Sequence, residues 1–162
     1  MVEMRFLCDE MLQRLVRWLR AAGYDTAIAM AGADDGALAR QAVAEGRWLL
    51  TRDREMALER NGDGRVVWLA VNGLPEQVAA VTQRFAIDWL LCPFSRCLEC
   101  NTPIIPANPA QYAQLPRGAL LTSPQVWYCP RCDKVYWEGS HVRRMRHTLE
   151  NFSRGVWRIA VN

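Results

Sequence analysis

A chain of 162 residues, 51% apolar and 23% charged, is long enough for one domain with an appended module and rich enough to bury a core. Its formal net charge of +3 is too small to argue by itself for a polyanionic partner. No run approaches the roughly 18 apolar residues of a membrane span, and the opening MVEMRFLCDE lacks the character of an export signal, so a cytoplasmic protein is expected.

The first part of the chain alternates two periods. Met4–Cys8 reads as a short buried strand, and the stretch after it is helical, with Leu12, Leu15, Leu19 and Ala22 on one face and Gln13, Arg17 and Arg20 opposite. Gly23 ends that helix as a C′ residue. A strand at Tyr24–Ala29, a helix from Asp34 to Glu45 closed by Gly46, and a strand at Arg47–Thr51 follow. A short helix from Asp53 to Arg60, an Asn-Gly-Asp-Gly turn, a strand at Val66–Val71 and a helix from Pro75 to Phe85 complete the series. Four strand–helix alternations predict an α/β fold: a parallel sheet with helices on both faces. The simplest doubly wound strand order is 3-2-1-4. After about Leu91 helical periodicity stops, prolines recur and cysteines cluster, which divides the chain into residues 1–91 and a second module, 92–162. The first part holds 11 basic and 13 acidic residues and the second 9 and 4, an asymmetry that suits a nucleic-acid-facing second module.

Six cysteines without an export signal are expected to be reduced. Four of them form Cys97-Leu-Glu-Cys100 and Cys129-Pro-Arg-Cys132. Each C-x-x-C turn sets two thiolates on one side of a tight loop, and two such loops complete a tetrahedral zinc site. Four thiolates leave no open position, so this zinc is expected to be structural. An iron–sulfur cluster or a redox pair fits the matched spacing less well. Cys8 and Cys92 stand outside the pattern and read as small core residues.

In a parallel sheet, ligands bind beyond the carboxyl ends of the strands. Asp9 follows the first strand, Asp34 and Asp35 follow the second, and Asp53 follows the third. If those strands are neighbours, the carboxylates converge where magnesium or manganese could be held and could activate water for phosphodiester cleavage. Each acid also precedes a helix, so capping alone explains any one of them. Near the C-terminus, Ser140 reads as the N-cap of a helix with Val142, Met145, Leu149 and Phe152 on one face and arginines elsewhere. The basic face suits a phosphate backbone or is simply solvated. His141, at the helix start, could donate to a phosphate or be structural.

Several segments together resemble a known family. They are Phe6-Leu7-Cys8-Asp9, Leu12, Leu15, Arg17-Trp18-Leu19-Arg20, Gly23-Tyr24-Asp25, Asp34-Asp35 with Leu38, Gly46-Arg47 and Leu50-Thr51-Arg52-Asp53-Arg54-Glu55. With them stand the two cysteine pairs and Tyr136-Trp137-Glu138-Gly139-Ser140-His141 through Met145. The set resembles the PIN-like RNase domain at the C-terminus of Mut-seven-type exoribonucleases, with its zinc ribbon and Gly-Ser-His signature. The resemblance implies a PIN-like Rossmannoid core, a fused ribbon and metal-dependent RNase activity, with Asp9, Asp35 (or Asp34) and Asp53 as metal-binding acids. The wider PIN pattern commonly adds a fourth acid after the next strand, where this chain has Asn72.

Two functions compete. In an RNase, Asp9, Asp34 or Asp35, and Asp53 would hold magnesium or manganese, with Arg52, Arg143 and Arg144 on RNA phosphates and His141 near the scissile bond. In a non-catalytic RNA-binding or adaptor protein the ribbon and basic helix do the work, and the acids only cap helices. A toxin of the small PIN type fits less well, because such toxins generally lack a ribbon.

Overall fold

The computed structural model describes residues 3–60, 62, 64–122 and 125–159. Asn61 and Asp63 of the expected Asn-Gly-Asp-Gly turn lie outside these. Strands β1 (Arg5–Cys8), β2 (Asp25–Ile28), β3 (Trp48–Thr51) and β4 (Val66–Trp68) alternate with helices α1 (Gln13–Ala22), α2 (Asp35–Ala44), α3 (Arg54–Glu59) and α4 (Leu74–Phe85). A 3₁₀ turn at Glu10–Leu12 leads into α1. All four strands pair in parallel.

Their order is β2-β1-β3-β4, which corrects the expected 3-2-1-4. The reason is burial. Central parallel strands are covered on both faces and read as unbroken apolar runs. Phe6-Leu7-Cys8 and Leu49-Leu50 are such runs and are fully buried, whereas Asp25-Thr26-Ala27-Ile28 and the strand ending in exposed Trp68 take the edges. As an edge strand β4 also stops short of the expected Val71. Alternate strand residues feed opposite layers. Phe6, Cys8 and Leu50 join α1 and α4, while Leu7, Leu49 and Val66 meet Leu38, Ala42 and Met56 from α2 and α3.

Helix α1 ends at Gly23, whose φ of 105° is left-handed. Gly23 and Tyr24 donate to the carbonyls of Arg20 and Leu19, a Schellman ending. A Cβ on Gly23 would fall 2.6 Å from the Cys92 carbonyl oxygen, so glycine also lets the chain return across the helix end. Cys92 itself is exposed, contrary to its expected place in the core, because its backbone rather than its thiol fills the space over Gly23. Cys8 is a core residue, and burial pushes its thiol far up.

The second part contains an antiparallel sheet of β5 (Ile105–Pro106), β6 (Val126–Cys129) and β7 (Lys134–Trp137), in that order. A 3₁₀ turn at Gln111–Gln114 and the short α5 (Ala119–Thr122) lie between β5 and β6. Pro106 is tolerated because β5 is an edge. The last helix, α6, runs Ser140–Ser153 and its N-cap is Gly139, not Ser140. A Cβ at Gly139 would lie 2.8 Å from Trp137 Nε1, so the tight exit from β7 takes the cap position and pushes Ser140 into the first turn. Met145, Leu149 and Phe152 of α6 pack in the same core as Phe6, Leu15, Leu19 and Trp89. Among the described residues no helix is long and apolar enough to cross a membrane.

One polar network ties the layers together. The Asp25 carboxylate accepts from Arg47 Nη1 at 2.7 Å, Arg5 Nε at 3.0 Å and Asn101 Nδ2 at 2.6 Å. Burial pushes its carboxyl up, and the hydrogen bonds from Arg47, Asn101 and Arg5 outweigh that and hold it well below the usual carboxylate range. A depressed folded value stabilises the protein above the unfolded value of about 4, and that contribution is lost as pH falls through the folded value. Asp25→Ala leaves the Arg47 charge, only 9% exposed, with Glu45 as its remaining carboxylate partner and removes the acceptor shared by Arg5 and Asn101. It is expected to cost about 3–5 kcal/mol at neutral pH and to flatten the acid limb of stability measured by urea unfolding. A profile parallel to the wild type would show that this carboxylate contributes nothing.

Candidate metal centre and active site

Both C-x-x-C turns fold alike. Asn101 donates its backbone N–H to the Cys97 carbonyl and Asp133 donates to the Cys129 carbonyl, each at 3.0 Å. Asn101 and Asp133 both adopt positive φ, 71° and 53°; Asn and Asp bear this better than other residues with a Cβ. The four sulfurs lie within 4.8 Å of one another, the single such group of three or more possible ligands among the described residues. Cys97 and Cys132 are 3.9 Å apart and Cys100 and Cys129 3.5 Å. A zinc–thiolate tetrahedron with bonds of about 2.3 Å has edges of about 3.8 Å, so the residues fit a metal such as zinc.

Neighbouring donors favour ionised sulfur. Tyr136 Oη lies 3.0 Å from Cys97 Sγ; burial and Cys97 push the tyrosine well up, so the hydroxyl keeps its proton and donates. The backbone N–H of Cys132 points to Cys129 Sγ at 3.4 Å. Burial raises the Cys100 thiol, yet the hydrogen bonds with Thr102 prevail and hold it near about 6. Cys132 is pushed up to about 12 by its hydrogen bond with Cys100 and by burial. One thiolate therefore opposes the next, and a dication removes that conflict for all four.

The strand-end acids occupy three successive strands, β2, β1 and β3. The chain turns from β2 on one side of β1 to β3 on the other, so the switch point of the sheet falls between β1 and β3, flanked by Asp9 and Asp53. Asp9 is 9% exposed. Its Oδ2 accepts from Thr51 Oγ1 and the Arg52 backbone N–H, both at 2.7 Å, and its Oδ1 from the Met11 N–H at 2.9 Å. Three bonds on an ionised carboxylate leave one lone pair free on Oδ1. Asp53 caps α3 through Oδ1 and Met56 N–H at 3.0 Å, and Asp34 caps α2 through Ala37 N–H at 2.8 Å. Asp35, in the first turn of α2, is exposed and makes no side-chain hydrogen bond among the described residues. Asp9, Asp35 and Asp53 do not gather as tightly as the cysteines.

Arg52 crosses the same edge. Its Nη2 donates to Asn72 Oδ1, so Asn72, the residue in place of an expected fourth acid, anchors a guanidinium. Its Nε is buried and has no hydrogen-bond partner among the described residues. His141 is not joined to the acids by any hydrogen bond among the described residues; its Nε2 faces Arg17 Nη2 at 3.4 Å, beside the Arg17–Glu99 ion pair. Arg143 donates to the Glu138 carbonyl, and Arg144 is exposed on α6. Sequence reasoning passed over Thr51, which orients Asp9, and Trp68, which sits in register with Thr51 beneath the Arg54 guanidinium. A hydroxyl ending a strand beside a following acid was the available sign of the first.

The Mut7-C RNAse domain profile matches residues 4–149. The chain belongs to the Mut7-C RNAse domain family. No curated protein and no solved structure matches it. In this Mut7-C chain the matched span runs from β1 into α6 and so takes in both the strand-end acids and the cysteine cluster. The cluster geometry predicts that the purified protein binds a single zinc ion and that Cys129→Ser loses it, with the ribbon unfolding and the melting temperature falling. Metal analysis with a thermal melt checks both, and undiminished zinc in the variant would overturn the assignment.

Proposed function

We propose that this Mut7-C protein is a divalent-metal-dependent ribonuclease with a PIN-like core, in which residues 1–91 supply the chemistry and residues 92–162, held by a structural zinc, help grip RNA. The observation that carries this is the pair Asp9 and Asp53 flanking the β1–β3 switch point, with Asp9 pinned by Thr51 and the Arg52 backbone. Asp9 Oδ1, Asp53 Oδ2 and the uncommitted Asp35 are hard oxygen donors that suit magnesium or manganese. Asp34 is the poorer candidate, since its Oδ2 both caps α2 through Ala37 and lies near the competing charge of Arg40. When bound, such an ion supplies an activated water and neutralises charge at the phosphorus.

The chain's own residues do the rest. Thr51 and the Arg52 N–H hold Asp9 in one orientation. Arg52, steadied by Asn72, presents the exposed end of its guanidinium to a phosphate oxygen. Hydrolysis adds water across a P–O bond and leaves a phosphate monoester on one fragment and a hydroxyl on the other. His141, Arg143 and Arg144 belong in this reading to binding along the ribbon side, because His141 meets Arg17 and not the acids.

The adaptor reading has an observation of its own, since Asp9, Asp34 and Asp53 all cap helices. Asp53→Asn separates the two, because asparagine caps about as well as aspartate but loses the charge a metal needs. We expect manganese-dependent cleavage of a labelled single-stranded RNA to fall more than about a hundredfold in Asp53→Asn, with thermal stability and RNA binding retained. Thr51→Val, which removes only the orienting hydroxyl, should lose about 10- to 100-fold. Equal cleavage by Asp53→Asn and wild type would sink the nuclease assignment and leave the adaptor.

A further inference from the structure

A groove of about 570 Å³ runs between the ribbon sheet and α6, a volume in the range of small-ligand sites. Trp127 and Tyr136 are directly paired across β6 and β7 and so face the same side. Phe94 and Arg96, from the chain leading into the first cysteine pair, line it together with Trp137 and with Arg146 of α6. Trp127 is 37% exposed, open to a flat partner. The guanidinium of Arg146 stands over the Phe94 ring at 5.1 Å and is held by Glu138 at 3.0 Å. Arg96 is held by the carbonyls of Gly23 and Asn101.

Phe94 adds a second, independent sign. Its φ is 59°, a left-handed conformation that costs a bulky residue free energy and persists where the surroundings enforce it. The strain places an aromatic ring in the wall of the groove under an arginine. Aromatic faces beside fixed guanidiniums are the means by which proteins hold unpaired bases without regard to sequence. The surrounding module carries 9 basic against 4 acidic residues, which complements a phosphate backbone.

We propose that this groove binds a nucleobase of single-stranded RNA, stacked on Trp127, with Arg96 and Arg146 beside it. The assignment rests on RNA being what the protein acts upon. It also sets a distance. Cys92 and Phe94 donate their backbone N–H groups to Ala22 and Ala21, at the C-terminal end of α1, whereas Asp9 lies before its N-terminal end. The ten residues of α1 span about 15 Å. A strand with a base in the groove must cover that length to reach the acids, so the groove serves long unpaired RNA and is out of reach of a short fragment held at the acids.

Binding is measured apart from cleavage, by using zinc-loaded protein carrying Asp53→Asn and no added magnesium or manganese. The probes are an unstructured oligouridylate and a uridine trinucleotide. Adding Trp127→Ala should weaken oligouridylate binding about 5- to 150-fold, the loss expected of one stacked base, with Trp127→Phe restoring most of it. Zinc content reports whether the ribbon stays folded. In the wild-type background, Trp127→Ala should raise KM for the long RNA while leaving kcat and trinucleotide cleavage unchanged. Unchanged oligouridylate affinity in Trp127→Ala with full zinc would overturn the groove assignment and leave the nuclease reading standing, as would an apolar peptide filling the groove that RNA does not displace. Trp127-dependent RNA binding by a protein that cleaves nothing would support the groove and remove the nuclease.

Discussion

The guanidinium of Arg20 is the joint on which this structure turns. It is buried on α1 and donates to the Thr26 carbonyl at 2.9 Å, the Leu98 carbonyl at 3.0 Å and the Glu99 carbonyl at 2.7 Å. One side chain therefore satisfies the backbone of an edge strand and of the loop between Cys97 and Cys100. Buried carbonyls of this kind have no water to turn to, and the chain would have to expose them if the joint were absent. Burial lowers the pKa of Arg20, while Cys100, Cys8, Cys97 and Glu99 pull it up. The cation is thus placed where cysteine sulfurs gather, which favours their ionised form.

Asn101 completes the joint. Its backbone closes the first cysteine turn in the left-handed region, and its side chain accepts from the Thr26 N–H at 3.0 Å while donating to Asp25. The outer edge of β2, which would otherwise be a row of unpaired groups, is in this way covered by the Cys97–Cys100 loop. The inner edge meets β1, and the next gap, between β1 and β3, holds Asp9. The order along the sheet runs from cysteine turn to edge strand to Asp9 in single strand steps.

Much of this was legible in residues alone. The alternation of strand and helix, the cysteine spacing and the apolar face of α6 each declare themselves through short-range periodicity, and the structure carries all three. Strand order does not, because it depends on which strands are buried on both faces. Yet Leu49-Leu50 against Asp25-Thr26 was a visible difference in that direction. The two polar residues that bind the parts together, Arg20 and Asp25, look in sequence like an exposed helix position and an ordinary strand start. Their roles come from partners 78 and 76 residues away, which no local pattern encodes. Among the acids, sequence showed both the strand-end positions and the helix capping that Asp9, Asp34 and Asp53 perform, but the Thr51 hydroxyl on Asp9 emerges only in three dimensions. So did the outward thiol of Cys92 and the displaced cap at Gly139.

Phe152 sits edge-on to Trp18 and Trp89, with ring centroids at 5.4 and 5.1 Å. One aromatic ring near the end of the chain therefore plugs a hole lined by residues from its beginning and its middle. A fragment cut at the change of sequence character would carry that hole open to water, with indole faces lining a ready adhesive surface. The ribbon and its helix are in that sense a stopper as well as an attachment. A fusion engineer or a genome that moves this domain must move both parts as one piece.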